Sequence, residues 1–311
     1  MNFKPHIVII LFFICCFCHV QGHPDSTLNL KSDSLSKKNK ISSFNAYRSV
    51  LSENTATCGK NKMEIFIDRR FGSISGDSSL HTLLGIDELS DYRLGLGYGL
   101  TDNLQIGIAR SKFNELIEGS FKWRFLDQSS INGSPFTIAV YMCAGLTTKD
   151  KNALYPLGSQ VPNLGSLSHR LSYLSQIMLS KRFGKFFSLQ INTGYHHRNL
   201  IFEKTNESNL ERDKHGTFFG SFLLEGFITK KWSVFADFLH VFSKYQKNNP
   251  DFDFNSPLAF GAQYQKSGYV TTFSISNCFI LSPLNFIPVN NGSWGKGKIN
   301  LGLSLSKTLS L

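Results

Sequence analysis

Residues 92–108 read YRLGLGYGLTDNLQIGI, and few folds can accept such a stretch. Tyr92, Leu94, Leu96, Tyr98 and Leu100 share one parity, and Arg93, Gly95, Gly97 and Gly99 share the other. Thr101-Asp102-Asn103 supplies a tight turn, after which Leu104, Ile106 and Ile108 alternate with Gln105, Gly107 and Ala109. Side chains of a strand point to opposite faces in turn, so the pattern predicts a β-hairpin with one apolar face. A soluble sheet usually buries its apolar face and turns charge to water on the other. Here the second face is small instead of charged, with Arg93 and Gln105 its only long polar groups. That suits the inside of a curved, closed sheet, where glycines permit sharp bending.

The same alternation recurs down the chain. Strand-like runs fall at 63–71, 92–100, 104–109, 119–126, 136–144, 169–182, 187–195, 217–228, 232–241, 258–265, 269–278 and 298–306, twelve in all. The run at 187–195 is very regular, with Phe187, Leu189, Ile191, Thr193 and Tyr195 set against Ser188, Gln190, Asn192 and Gly194. Connections at 101–103, 127–135, 184–186, 229–231 and 266–268 are short, although 127–135 is the longest of them. Those at 72–91, 110–118, 146–168, 196–216, 242–257 and 279–297 are long, although 110–118 is no longer than 127–135. Short turns on one rim and long loops on the other predict an all-β, transmembrane antiparallel up-and-down β-barrel of an outer membrane, with the short turns in the periplasm. With an even strand count, both ends of the barrel then lie at the periplasmic rim. A run of nine residues, tilted by about 40°, rises roughly 20 Å, near the ~25 Å apolar band of such barrels. A secreted β-sandwich would also alternate, but it does not require the loop alternation, the even count or inner faces of Gly, Ser, Asn and Gln.

Composition agrees. Aromatic residues make up 13% of the 311, with 28 Phe, while charged residues make up only 18%. Residues 1–22 read as a secretory signal peptide, with Lys4 before an apolar run from Ile7 to Val20. That run is too short to span a bilayer comfortably as a helix. Residues 23–62 are polar and aperiodic and read as a flexible linker, followed by a barrel domain over 63–311. Without residues 1–22 the chain holds 32 Lys and Arg against 22 Asp and Glu, a net +10. This balance favours anionic lipid or solutes, but no basic block with interleaved aromatics points to nucleic acid. Three cysteines remain, Cys58, Cys143 and Cys278, with no CxxC, which argues against a disulfide framework or a zinc site.

No catalytic, cofactor-binding or metal-binding set emerges. Gly95, Gly97 and Gly99 lie within a strand and cannot cradle a phosphate as a strand-to-helix loop does. His196 and His197 are adjacent in a strand and point opposite ways, so both cannot readily bind one metal. His240 has serine neighbours such as Ser243, but no spacing makes a triad evident. Lipid hydrolysis thus stands as a minor alternative, and the chain reads as a non-enzyme. The lumen candidates are Arg93, Lys122, Arg124, Gln190, Asn192, Glu64 and Asp68, which share the expected inner face. They allow either a narrow, anion-preferring pore or an internal salt-bridge network that plugs the barrel, the long loops then serving as a binding surface. Loop 72–91 carries Leu80, Leu83, Leu84 and Ile86, and is expected to fold over the mouth or into the lumen.

Several local motifs fall in order along residues 61–311: Arg69-Arg70-Phe71-Gly72, Gly85-Ile86-Asp87, Leu94 to Asp102, Phe121-Lys122-Trp123-Arg124, Tyr195-His196-His197-Arg198-Asn199, Gly268-Tyr269-Val270 and Ser276-Asn277. In their order and spacing they resemble a family of outer-membrane-type β-barrel proteins of unknown function from Bacteroidota, domain of unknown function 5777. The chain departs from that family at Arg69, where a His is frequent, and near Tyr269, where another His is expected. The resemblance therefore implies a barrel and a location, with outer-membrane lipid and the barrel assembly machinery as partners, and supplies no activity, cofactor or ligand.

Overall fold

The computed structural model describes residues 41–74, 81–83, 85–129, 134–150, 166–201 and 205–311. The expected signal peptide and the first part of the linker lie outside these residues. Twelve strands follow one another: β1 (Lys62–Ser73), β2 (Leu89–Gly99), β3 (Leu104–Ser111), β4 (Leu116–Leu126), β5 (Thr137–Thr147), β6 (Leu171–Phe183), β7 (Phe187–Arg198), β8 (Gly216–Phe227), β9 (Trp232–Phe242), β10 (Leu258–Lys266), β11 (Tyr269–Ser276) and β12 (Asn300–Ser310). Each pairs antiparallel with its neighbours in sequence. The pairing of β1 with β12 closes the ring. Closure leaves no strand edge, which a β-structure in hydrocarbon requires because every backbone N–H and C=O must be paired there.

The wall sorts its side chains by parity, as the opening hairpin predicted. Leu94 and Leu96 of β2 are 44% exposed, as are Ile106 and Ile108 of β3 at 42% and 57%, while Arg93 and Gln105 are buried. In the ladder Leu96 faces Ile108 and Tyr98 faces Ile106, so the exposed apolar side chains sit side by side across strands. Water would not tolerate so continuous an apolar wall, but hydrocarbon does. The 11 residues of β2 span roughly 33 Å, which at a tilt of about 40° is close to the ~25 Å apolar band of membrane barrels. Outward aromatic rings gather near both rims, as in Phe183 stacked on Phe187 and Trp232 tilted against Tyr264 at one, and Tyr195 with Phe218 at the other. Aromatic girdles at the two interfaces are the usual boundary of such a band.

The strands run longer than expected at several ends, and this changes the loops. The connection expected at 110–118 shrinks to residues 112–115 between β3 and β4. The other long connections share its rim, and the short turns share the rim of Lys62 and Ser310. At the β10–β11 turn Ser267 and Gly268 both have positive φ, 50° and 76°. Two successive left-handed residues match the strand twist in a two-residue hairpin, and glycine at the second position removes half the steric penalty. A short helix, α1 (Pro283–Val289), lies in the connection between β11 and β12. Loop 72–91 does not enter the lumen with its described apolar side chains. Leu83 is 62% and Ile86 46% exposed, while Leu80 and Leu84 lie outside the described residues.

Candidate functional site: the occupied lumen

Two segments of the chain itself fill the barrel. The first is residues 41–61, expected as the end of a flexible linker. They pass into the lumen instead, and only Lys62 of the supposed linker joins the wall. At the short-turn rim the Ile41 amide donates to the Gln128 carbonyl, and Arg182 donates to the Ser42 carbonyl at 3.1 Å. The segment then climbs and reverses, with a Ser49 amide bond to the Ser52 carbonyl and a bridge between Arg48 and Glu53. It returns to the same rim, where the Thr57 hydroxyl donates to the Asp102 carbonyl at 2.7 Å. No period marks this segment in the sequence because it forms no regular element; its backbone polar groups are met by the wall.

The wall groups that meet it include most of the polar positions picked from parity. Arg48 donates to Glu64 at 2.8 Å and to Asp68 at 3.4 Å, and its guanidinium lies 3.4 Å from the centroid of the Phe66 ring. The Lys122 ammonium pairs with Glu53 at 2.8 Å and donates to the carbonyls of Tyr47 at 2.7 Å and Ala56 at 3.4 Å. Gln190 accepts from the Thr55 amide at 3.0 Å and donates to the Glu53 carbonyl at 2.8 Å. Asn192 donates to the Ser221 oxygen, and the Ser221 hydroxyl in turn donates to the Ser52 oxygen at 3.3 Å. Arg93 pairs with Glu118 at 2.8 Å, on the wall alone. Arg124 stands apart from these at the short-turn rim, where it binds the Asp102 carbonyl and pairs with Asp127 at 2.7 Å.

Sequence reasoning missed three wall anchors. Asp237 accepts from the amides of Leu51 at 2.9 Å and Ser52 at 3.1 Å and from the Ser52 hydroxyl at 2.7 Å. Its signal was available: it is an acid at an inward parity position within the apolar strand β9. Asp91 and Glu118 were missed because both fall outside the strand limits expected from the sequence. They receive the second segment, which enters from the long-loop rim. The Leu281 amide donates to Asp91, and the Ser282 hydroxyl to Glu118 at 2.5 Å.

This second segment, residues 277–290 with α1, brings the apolar part of the interior. Ile280, Leu284, Phe286 and Ile287 are almost wholly buried. They cluster with Leu51 of the first segment and with inward Leu116, Tyr141, Leu174, Met178, Phe219 and Leu239 of the wall. The inner face is therefore not made of small and polar groups alone, as expected. A close-packed apolar core lies where the two segments meet. Two spaces among lumen residues hold about 20 and 30 Å³, and one at the long-loop rim beside α1 about 40 Å³, room for one or a few waters each.

The histidines take no part in a common centre. His196 is buried inward, and His197 points outward beside Tyr173, Tyr195 and His215. His240 points outward at the long-loop rim and its Nδ1 lies 3.0 Å from the Ser256 hydroxyl, so Ser243 is not its partner. A rim cleft of about 690 Å³ holds His240, Lys244, Lys247, Phe254 and Ser256. Near it, Lys296 hydrogen-bonds Asp253 and holds that carboxyl below the usual range. Among the described residues no group of three or more His, Cys, Asp or Glu is placed to hold a metal ion.

A family model described as "Membrane bound beta barrel domain (DUF5777)" matches residues 44–309, which takes in most of the first lumen segment as well as the wall. Comparison with curated proteins gives no match. Among solved structures, the NanC porin shares 9% identity at a TM-score of 0.47, covering 80% of this chain and 100% of that one. The KdgM porin shares 5% at 0.42, with 80% and 99% covered. Omp33 of Acinetobacter baumannii shares 8% at 0.38, with 81% and 100% covered. Likeness at this level carries no inference about solute or role.

Proposed function

The chain belongs to the DUF5777 family of membrane-bound β-barrel domains, and from that premise we propose an outer-membrane barrel that is closed by its own chain and does not conduct at rest. One observation carries this reading. Residues 41–61 and 277–290 meet inside the barrel around a shared apolar core, and the spaces found beside them are of water size. The role then belongs to the long-loop rim, where the 690 Å³ cleft offers mixed basic and aromatic lining to a ligand, and not to diffusion through the lumen. The short-turn rim faces the periplasm, and residues 1–22 act as the export signal. The barrel assembly machinery and outer-membrane lipid are its partners, and it catalyses no reaction.

A gated pore is the second reading, and the path of residues 41–61 favours it. That segment enters and leaves by the same rim, so it could withdraw without threading the chain through the ring. Liposome swelling separates the two. Proteoliposomes of the purified protein should shrink and stay shrunken in small sugars, as protein-free vesicles do. Reswelling at rest would refute the closed state, and reswelling only in mild urea would support the gate.

A further inference from the structure

Arg70 of β1 is 0% exposed, yet among the described residues it has no ion-pair partner. Its Nη1 donates to the Ser274 hydroxyl oxygen at 3.2 Å, while Nε and Nη2 have no partner. Those two nitrogens direct their N–H groups along one edge of the guanidinium plane, the edge that grips a single acceptor from two points. The two nearest carboxylates by position are engaged elsewhere. Asp68 takes Arg48, and Asp91, opposite Arg70 in the β1–β2 ladder, accepts the amides of Phe113 and Leu281 on its two oxygens. A buried guanidinium with a free donor edge is expensive unless something fills it.

The space beside it is small. A cavity of about 20 Å³ is lined by Arg70 together with Arg48 and Arg93, by Asp68 and Glu53, and by Ser274. Of the buried guanidiniums in this lining, Arg48 is paired with Glu64 and Asp68 and Arg93 with Glu118, which leaves the Arg70 charge without a counter-charge among the described residues. The volume takes one monatomic species, since a water needs about 10–15 Å³ by the same measure. Space for the guanidinium is made by Gly302: a Cβ there would fall 2.5 Å from both Arg70 Nη1 and the Ser274 oxygen. The Ser274 hydroxyl accepts from Nη1 and so fixes the guanidinium plane, leaving the opposite Nε/Nη2 edge free.

We propose that this cavity is a halide site, in which one chloride sits on the Nε/Nη2 edge of Arg70. The ion neutralises the Arg70 charge and locks the wall against the tip of the first lumen segment, whose Arg48 and Glu53 line the same cavity. The site is independent of whether the barrel conducts. It forms as the segment docks, so the ion is a folding partner and not a transported solute.

The test is reversible urea unfolding of the full chain in lipid vesicles, with chloride or bromide exchanged for gluconate at constant ionic strength. Gluconate is far too large for the cavity. Above the dissociation constant, each tenfold rise in halide should lower the unfolding equilibrium constant about tenfold. Arg70→Met keeps the length and apolar stem of the side chain and removes the charge; it should fold without any halide dependence. Crystals grown in bromide should show an anomalous peak on the Nε/Nη2 edge. Stability indifferent to halide would overturn the site, as would equal dependence in wild type and Arg70→Met. Ordered water in the cavity with no bromide would overturn it as well.

Discussion

Replacing Lys122 by Met should release residues 47–56 from the wall while leaving the barrel intact. All three acceptors of the Lys122 ammonium belong to the first lumen segment: the Glu53 carboxylate and the carbonyls of Tyr47 and Ala56. An ammonium has three donors, so the set is complete. The lysine and Glu53 side chains are only 3% and 12% exposed, so removing the cation leaves a nearly buried carboxylate without its partner. Breaking one side of a buried pair costs about 3–5 kcal/mol. Because every lost hydrogen bond is made to the segment, and the wall loses just a 5.9 Å contact with the Tyr141 ring of β5, that cost falls mainly on docking of the segment. The undocked population should rise between about 10²- and 10⁴-fold. Hydrogen exchange read by mass spectrometry should therefore show amides of residues 47–56 exchanging faster by that factor, with β5 and β6 unchanged. The double variant Lys122→Met/Glu53→Gln should recover part of the protection, since both charges then leave together. Unchanged exchange in Lys122→Met would refute the view that this lysine holds the segment. Uniformly faster exchange over the strands would show that it serves the wall instead.

Further outcomes follow from the same geometry. Asp237→Ala, which strips three donors of the first segment of their acceptor, should expose residues 50–53 to exchange as well, and loss of the folded barrel band on unboiled gels would contradict that local reading. Leu96→Arg on the outer wall should reduce folding stability in vesicles by about 2–4 kcal/mol, while the same change at exposed Leu83 in the rim loop should change it little; equal effects would argue against a hydrocarbon surrounding. The Asp253 carboxyl should titrate below the usual aspartate range, with the Lys296 hydrogen bond as the main cause. Its folded pKa is depressed, so its contribution to rim order is present above the unfolded pKa and lost as pH falls through the folded one. Carbon-13 titration of Asp253 should move up toward the free value in Lys296→Met, and no movement would discard the pair.

The barrel wall was legible because its constraint is periodic. Hydrocarbon outside and packed chain inside impose a period of two on every strand, and stretches such as 92–108 and 187–195 carry it plainly. Parity also placed Glu64, Asp68, Lys122 and Gln190 against the first lumen segment, and Asn192 behind them on Ser221, although it could not say what they would touch. The two inner segments obey no such rule. Residues 41–61 look like a linker because their order comes from single hydrogen bonds to distant wall groups such as Asp237, which no local pattern records. Residues 277–290 look like a loop, and their apolar side chains gave no sign of which space they fill. Loop 72–91 drew attention through its leucines, yet the described ones are exposed at the rim, and the apolar filling of the lumen comes from Leu51, Leu284, Phe286 and Ile287.

The claim that the chain closes its own barrel is tested most directly by single-channel recording in planar bilayers. The wild-type protein should insert without steady conductance steps. A variant lacking residues 42–60, with 279–297 replaced by a short Gly-Ser turn, should give discrete steps of uniform size. Steady wild-type steps equal to those of the emptied variant would contradict the account.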